Sequence, residues 1–127
     1  MILETGELPD LDTVERAARF AIEHGADFVK TSTGKSPVSA TLPAAQRMLE
    51  VIAASGRSVG IKPAGGIGTA DAAGEYIALA ERIMGTGWVT PATFRFGASG
   101  LLIALLAAAG ESAPAGAGSG AAQEGSY

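Results

Sequence analysis

The chain of 127 residues contains no cysteine, one histidine and few aromatic residues (6%). Without cysteine it can form neither disulfides nor thiolate metal sites, and this absence says little about compartment. Basic residues are also scarce, with 9 lysines and arginines against 13 acidic residues and a net charge of −4. Such a surface repels nucleic acid and anionic membranes, so we expect neither as a partner. The longest apolar run, Leu101 to Ala109, is too short to span a bilayer.

The remaining composition is that of a folded domain followed by a tail. Apolar residues make up 47% of the chain and charged residues 17%, which is typical of folded proteins. Glu4 follows Met1-Ile2-Leu3 without a basic segment, so we predict no signal peptide and a cytoplasmic protein. From Gly110 onward Gly, Ala and Ser dominate. We therefore predict one domain over residues 1–109 and a flexible, low-complexity tail over residues 110–127.

Short apolar strands alternate with amphipathic helices along this domain. A stub at Ile2 and segments around Val29, Ile61 and residues 94–96 are each followed by a loop and a helical pattern. Such alternation predicts an α/β fold of parallel strands. Since a complete (β/α)₈ barrel takes about 250 residues, three full strands and a stub correspond to half of one.

Residues that favour helix ends divide these units. We predict a capping box of Asp12 and Glu15 for the first helix, with Gly25 just after its end. Thr41 and Thr69 are predicted to cap the second and third helices. The last helix is expected over Leu101–Ala109.

Lys30, Lys62 and Arg95 lie 32 and 33 residues apart, each at or near the C-terminal end of a predicted strand. In a (β/α)₈ barrel that end of the sheet carries the catalytic residues. A single strand-end lysine would simply extend to solvent, but two at matching positions favour an amine nucleophile. An amine reacts only when unprotonated, and an ammonium group about 5 Å away disfavours the protonated form by roughly 3 kcal/mol at an effective dielectric constant of about 20.

Four motifs resemble the deoxyribose-phosphate aldolase family in their order and spacing. They are ETGEL (Glu4 to Leu8), KTSTGK (Lys30 to Lys35), KPAGG (Lys62 to Gly66) and RFGAS (Arg95 to Ser99). The likeness extends to about Gly110 and implies the C-terminal half of a (β/α)₈ TIM barrel.

This resemblance implies a class I aldolase that reversibly cleaves 2-deoxy-D-ribose 5-phosphate to acetaldehyde and D-glyceraldehyde 3-phosphate. Lys30 would form the Schiff base, Lys62 would relay protons beside it, and Thr33 would order water or substrate. The chemistry implies no cofactor and no metal. The expected partners are therefore a small phosphorylated sugar and acetaldehyde.

Glycine-rich loops after the strands predict where a phosphate group would bind. Exposed backbone N–H groups and helix N-termini attract anions, and the last two strands of a barrel are the usual place. The predicted phosphate-binding residues are Gly34, Lys35, Gly65, Gly66, Gly97 and Ser99. Any one of these glycines alone could equally serve only to make a tight turn.

The chain also departs from the family pattern. Gly100 stands where the family usually has a second serine, and Gly68 stands where a basic residue is common. The catalytic aspartate of the family lies on an earlier strand, which we expect this chain to lack. We therefore expect a homo-oligomer or a complementing N-terminal half. Two alternatives remain open: a non-catalytic half-barrel that binds phosphosugars or self-associates, and a truncated, marginally folded chain. His24 is expected to end a helix and Trp88 to pack in the core.

Overall fold

The computed structural model describes residues 1–110, in which short parallel strands alternate with helices. Its elements are a 3₁₀ turn (Thr5–Glu7), α1 (Leu11–Glu23), β1 (Phe28–Lys30), α2 (Leu42–Ser55), β2 (Gly60–Lys62), α3 (Ala70–Met84) and α4 (Ser99–Ala108). The predicted tail over residues 110–127 lies, apart from Gly110, outside the described residues. Within residues 1–110 no helix is long and apolar enough to cross a bilayer.

The sheet is built around β1 and β2, which pair in parallel with Val29 opposite Ile61 and Lys30 opposite Lys62. Isolated parallel bridges add a strand position on each side, from Ile2 to Lys30 and from Ile61 to Phe94. A further bridge joins Ala64 to Gly97. The predicted alternation of parallel strands and helices is thus confirmed.

The strand predicted around residues 94–96 forms bridges only. The Phe94 N–H donates to the Thr90 carbonyl (2.8 Å), so this segment leaves a turn directly before it joins the sheet. Arg95 N–H then donates to the Ile61 carbonyl (3.0 Å) and Gly97 N–H to the Pro63 carbonyl (2.9 Å). The segment therefore adds to β2 along one side without forming a regular strand.

One face of this sheet is covered by helices. Val29 and Ile61 are fully buried (0% exposed) and Phe94 nearly so (7%). They pack with apolar side chains of the helices: Val14, Ala18, Ala21, Ile22, Ala44, Ala45, Met48, Leu49, Val51, Ile52, Ala73, Tyr76, Leu79, Ala80 and Leu101. Trp88 packs against this core as expected. Because successive strand residues point to opposite faces, Lys30 and Lys62 lie on the other, uncovered face.

The helix ends correct one prediction. Helix α1 is capped by Asp10, whose carboxylate accepts from the Thr13 N–H (2.7 Å), so the predicted capping box of Asp12 and Glu15 is wrong. Asp10 has the extended backbone of a cap, whereas Asp12 already lies in the first turn. Glu15 instead forms ion pairs with Arg19 (2.9 Å) and with Arg47 of α2 (3.3 Å).

The other helix ends follow the expected chemistry. Thr41 and Thr69 accept from the N–H groups of Ala44 and Ala72, which confirms both as caps. His24 ends α1, where its ring bonds to the Phe20 carbonyl (2.8 Å). Helix α4 begins at Ser99, two residues before the predicted start at Leu101. The residue that flanks the helix start is Ala98, which has an extended backbone, so the helix begins directly after it.

Candidate functional site

Lys30 and Lys62 are direct partners in the parallel register, at the last residues of β1 and β2. Neighbouring strands lie about 4.8 Å apart, so the two lysine stems leave the sheet side by side. Both residues are partly exposed, on the face opposite the helix-covered core. The pairing expected from the 32-residue spacing is therefore present.

The loops after these lysines are tied together by a buried threonine. Thr31 is fully buried, and its hydroxyl accepts from the Ala64 N–H (3.0 Å) and donates to the Ala64 carbonyl (3.3 Å). The Thr31 N–H also donates to the Lys62 carbonyl (3.3 Å). Because buried polar groups need partners, this exchange fixes the relative position of the two loops. It holds the lysines in register beyond the end of the strands.

The glycine loops predicted to bind phosphate converge around the lysines. A Cβ placed on Gly65 would lie 3.4 Å from the Gly34 Cα and only 2.5 Å from the Ser39 side chain. A Cβ on Gly97 would lie 3.3 Å from the Lys62 Cε and 2.6 Å from the Ala64 Cβ. Side chains at these two positions would thus collide with the walls of the site. Here the glycines permit close approach, besides making turns.

The remaining predicted phosphate residues lie at the edges of these loops. Gly66 and Lys35 are exposed, and Gly66 has a positive φ of 76°. Ser99 is the first residue of α4, and Ala98 before it makes no side-chain cap, so no cap side chain occupies the N–H groups of that helix end. The Gly65 N–H donates to the Gly97 carbonyl (3.3 Å), which links these two loops. The structure therefore groups the predicted residues at one end of the sheet.

Thr33 is held by Glu4, the first residue of the ETGEL motif, for which the motif alone predicts no role. The Glu4 carboxylate accepts from the Thr33 N–H (3.1 and 3.2 Å) and from its hydroxyl (2.5 Å). The Thr33 hydroxyl also accepts from the Lys35 N–H (3.2 Å). Its hydroxyl is thus engaged within the protein, and its expected role in ordering water or substrate stays a prediction. The position of Glu4, two residues beyond Ile2 at the end of a strand, was the available signal.

The Thr33 hydroxyl holds the pKa of Glu4 below its ordinary value of 4.5. Partial desolvation opposes this effect, while the Thr33 N–H, the Ser36 hydroxyl and the positive charge of Lys30 add to it. Glu4 is therefore ionised at neutral pH, and it places a negative charge near Lys30.

Arg95 follows the same 33-residue spacing but does not join the lysines. Its guanidinium lies over the Phe28 ring (4.2 Å to the centroid), and its Nε donates to the Pro91 carbonyl (3.1 Å). Phe28 precedes Lys30 by two residues, so Arg95 extends toward the opposite end of the strands. Among residues 1–110, no group of His, Asp or Glu side chains could hold a metal ion.

Comparison with known proteins agrees with this arrangement. Residues 3–103 match a family described as DeoC/LacD family aldolase. The chain is 55% identical over 120 residues to a deoxyribose-phosphate aldolase from Agrobacterium fabrum. That match covers 94% of this chain but 46% of the relative, so the chain spans about half the length of that protein.

Solved structures show the same partial overlap. The chain resembles the apo form of a candidate deoxyribose-phosphate aldolase from Toxoplasma gondii ME49, with a TM-score of 0.68 and 29% identity over 76% of this chain and 38% of that one. A candidate deoxyribose-phosphate aldolase from Coccidioides immitis gives a TM-score of 0.65 and 27% identity, over 78% of this chain and 34% of that one. The predicted partial (β/α)₈ barrel is therefore confirmed.

Proposed function

Because the chain belongs to the DeoC/LacD family of aldolases, we propose that it carries the lysine part of a class I aldolase site for 2-deoxy-D-ribose 5-phosphate. The observation that supports this most is the register pairing of Lys30 with Lys62 at the carboxyl ends of two parallel strands. A lysine amine at this end of the strands, where barrel enzymes carry their catalytic residues, is placed to add to a substrate aldehyde. Lys30 is the proposed Schiff-base residue.

In the proposed reaction the Lys30 amine adds to the substrate aldehyde, forming a C–N bond while the carbonyl oxygen takes up a proton. Loss of water gives an iminium ion. The C3 hydroxyl then loses its proton, the C2–C3 bond breaks, and its electron pair moves toward the iminium nitrogen to give an enamine. This step releases D-glyceraldehyde 3-phosphate. Protonation of the enamine and hydrolysis release acetaldehyde and restore Lys30.

Lys62 is the proposed proton relay beside Lys30. Its position in register with Lys30 allows it to exchange protons with the bound intermediate. Thr33 is proposed to order water or substrate beside the lysines. Its hydroxyl is held between the Glu4 carboxylate and the Lys35 N–H. No step of this scheme requires a metal or a cofactor.

We propose that the phosphate group lies against the converging loops that carry Gly34, Lys35, Gly65, Gly66 and Gly97, close to Ser99 at the start of α4. Backbone N–H groups and a helix N-terminus favour an anion, and Lys35 supplies positive charge in a chain of net charge −4. Gly68 and Gly100 provide no side chain for this contact. Since a phosphorylated sugar is charged and does not cross a bilayer unaided, we also propose that the protein acts in the cytoplasm.

We further propose that additional strands complete the barrel, from a complementing N-terminal half or from a second copy of this chain. The described residues supply four strand positions of the eight in a barrel. Beside the segment 94–97 lies an apolar cavity of about 520 Å³, and Ile2 at the opposite edge is 47% exposed. Sheet edges of this kind pair with further strands.

Light scattering tests the partner proposal. We expect the chain alone to be larger than a monomer, with little aldolase turnover, and to gain turnover when the N-terminal half of a related aldolase is added. A monomer with full turnover on its own would contradict it.

Reductive trapping tests the proposed chemistry without requiring turnover. With acetaldehyde and cyanoborohydride, we expect one ethyl group per chain, located on Lys30 by peptide mass spectrometry. Lys30→Met should abolish this adduct, whereas Lys35→Met is the matched control that should retain it. An adduct found mainly on Lys35 or Lys62 would sink the assignment.

A further inference from the structure

Glu4 has an unusual backbone for a residue that is not glycine. Its φ of 52° and ψ of 58° place it in the left-handed region, and it is the only residue other than glycine with a positive φ in residues 1–110. This conformation costs an L-amino acid roughly 1–2 kcal/mol, and such residues persist where the surrounding structure holds them. The backbone of Glu4 is therefore held by its contacts, and these lie on the loop after β1.

Those contacts form a chain of hydrogen bonds that ends at Lys35. The Glu4 carboxylate accepts from both the N–H and the hydroxyl of Thr33, and the Thr33 hydroxyl accepts from the Lys35 N–H (3.2 Å). Gly34, between Thr33 and Lys35, has a φ of 86°. A threonine hydroxyl bonded to the N–H two residues later forms a local turn. Glu4 thus holds the hydroxyl that shapes the turn at Gly34.

The position of this turn matters for the neighbouring glycine loop. A Cβ on Gly65 would lie 3.4 Å from the Gly34 Cα, so the two backbones approach each other closely. The Thr33 hydroxyl that bonds to Glu4 therefore belongs to the same turn as the glycine that approaches Gly65.

We propose that Glu4 is a positioning residue for phosphate recognition. Through Thr33, it holds the Gly34–Lys35 turn against the Gly65 loop, and it does not itself touch the substrate. A carboxylate serves this role well, because it accepts strong hydrogen bonds from both donors of Thr33 at once. This inference rests on the proposed function, since it assumes that Lys30 forms a Schiff base with a phosphorylated aldehyde.

The test measures how strongly the phosphate group accelerates adduct formation at Lys30. Rates of reductive trapping are compared for 2-deoxyribose 5-phosphate and for 2-deoxyribose, in the unaltered chain and in Glu4→Ala, Thr33→Val and Thr33→Ser. The ratio of the two rates cancels any change in the reactivity of Lys30, including the effect of removing the Glu4 charge. We expect Glu4→Ala and Thr33→Val to lower this ratio by about tenfold, as the loss of a charge-assisted hydrogen bond allows. Thr33→Ser keeps the hydroxyl and should keep the ratio.

Trapping with acetaldehyde, which carries no phosphate, separates the possible failures. No adduct on Lys30 of the unaltered chain would sink the proposed function, and this inference with it. If acetaldehyde labels Lys30 but the phosphate ratio is one, or is the same in all variants, Glu4 does not position a phosphate site. A loss of acetaldehyde labelling in Glu4→Ala equal to its loss with the phosphorylated sugar would also overturn the inference, because Glu4 would then support the fold or Lys30 itself.

Discussion

On one face of the parallel sheet Val29 and Ile61 are fully buried beneath the helices, whereas Lys30 and Lys62, one position further along the same strands, remain partly exposed. The two pairs share the same register. They differ in the chemistry of their side chains and in the face of the sheet to which these point.

The two faces of the sheet therefore serve different purposes: one contributes to stability, and the other carries the lysines. Burial of the helix-covered face, the outer face, supplies the apolar energy that holds β1 and β2 in register. On the uncovered face, the inner face, that register keeps two amines adjacent, an arrangement that would be unfavourable if the lysines alone had to maintain it. Substitutions on the outer face should therefore act mainly on unfolding, and those on the inner face mainly on reactivity.

The largest effect on stability is expected from Ile61→Ala. Ile61 is fully buried, and a truncation of this kind costs about 2–5 kcal/mol, a large share of the stability of a small domain. The matched control is Ile103→Ala in α4, where the side chain is 45% exposed and the expected change is within about 0.5 kcal/mol. Urea unfolding followed by circular dichroism compares them. An equal loss of unfolding free energy in Ile61→Ala and Ile103→Ala would mean that the outer face does not carry the stability.

A smaller effect is expected from Gly97→Ala on the inner face. The new Cβ would lie 2.6 Å from the Ala64 Cβ and 3.3 Å from the Lys62 Cε, so we expect a loss of about 1–3 kcal/mol together with a displaced Lys62 stem. Gly74→Ala in α3, where no atom lies within 4 Å of the new Cβ, should instead stabilise the chain by up to about 1 kcal/mol. The same unfolding experiment measures both. An unchanged free energy of unfolding in Gly97→Ala would show that the loops shift easily to accommodate the new Cβ.

The smallest effect concerns pH and lies away from both faces. The hydroxyl and N–H of Thr13 hold the pKa of Asp10 below its ordinary value of 3.8. A lowered folded-state value means that the contribution of this cap to stability is present above pH 3.8 and is lost as the pH falls further, through the lowered value. Asp10→Asn keeps a cap acceptor. We expect this variant to lose less stability than the unaltered chain when the pH falls to 3, and to differ little from it in stability at neutral pH.

The matched control for Asp10→Asn is Asp12→Asn, which removes a carboxylate that does not cap the helix. Unfolding midpoints in urea at pH 7 and pH 3 compare the two variants. The same acid loss in Asp10→Asn as in the unaltered chain would show that the Asp10 cap does not contribute to it.

The parts of this structure that the sequence predicted are those governed by local chemistry or by the regular spacing of the strand–helix units. The lysine pairing followed from a 32-residue spacing, and Thr41 and Thr69 capped their helices as expected. The cap of α1 was misassigned because Asp10 and Asp12 are chemically equivalent, and only the backbone at Asp10 distinguishes them.

Long-range contacts that follow no repeated spacing could not be predicted from the sequence. The bond between Glu4 and Thr33 joins residues 29 positions apart, and the position of Glu4 after a strand end does not identify its partner. Arg95 fits the strand spacing as well as the lysines do, yet its side chain lies over Phe28 because a flexible guanidinium can reach an aromatic ring at the other end of the strand. Spacing predicts which strand end a residue occupies, but not the direction of a long side chain.

We propose that Lys62, which the buried outer face holds in register with Lys30, assists the reaction of the Lys30 amine as a proton relay. The most direct measurement is the rate at which acetaldehyde and cyanoborohydride label Lys30 at neutral pH in the unaltered chain and in Lys62→Met, with unfolding midpoints checked in parallel. Removal of the Lys62 amine should slow labelling by about tenfold, equivalent to about 1.4 kcal/mol, because the proton relay beside Lys30 is lost, without a comparable loss of stability. An unchanged labelling rate in a folded Lys62→Met chain would contradict the claim.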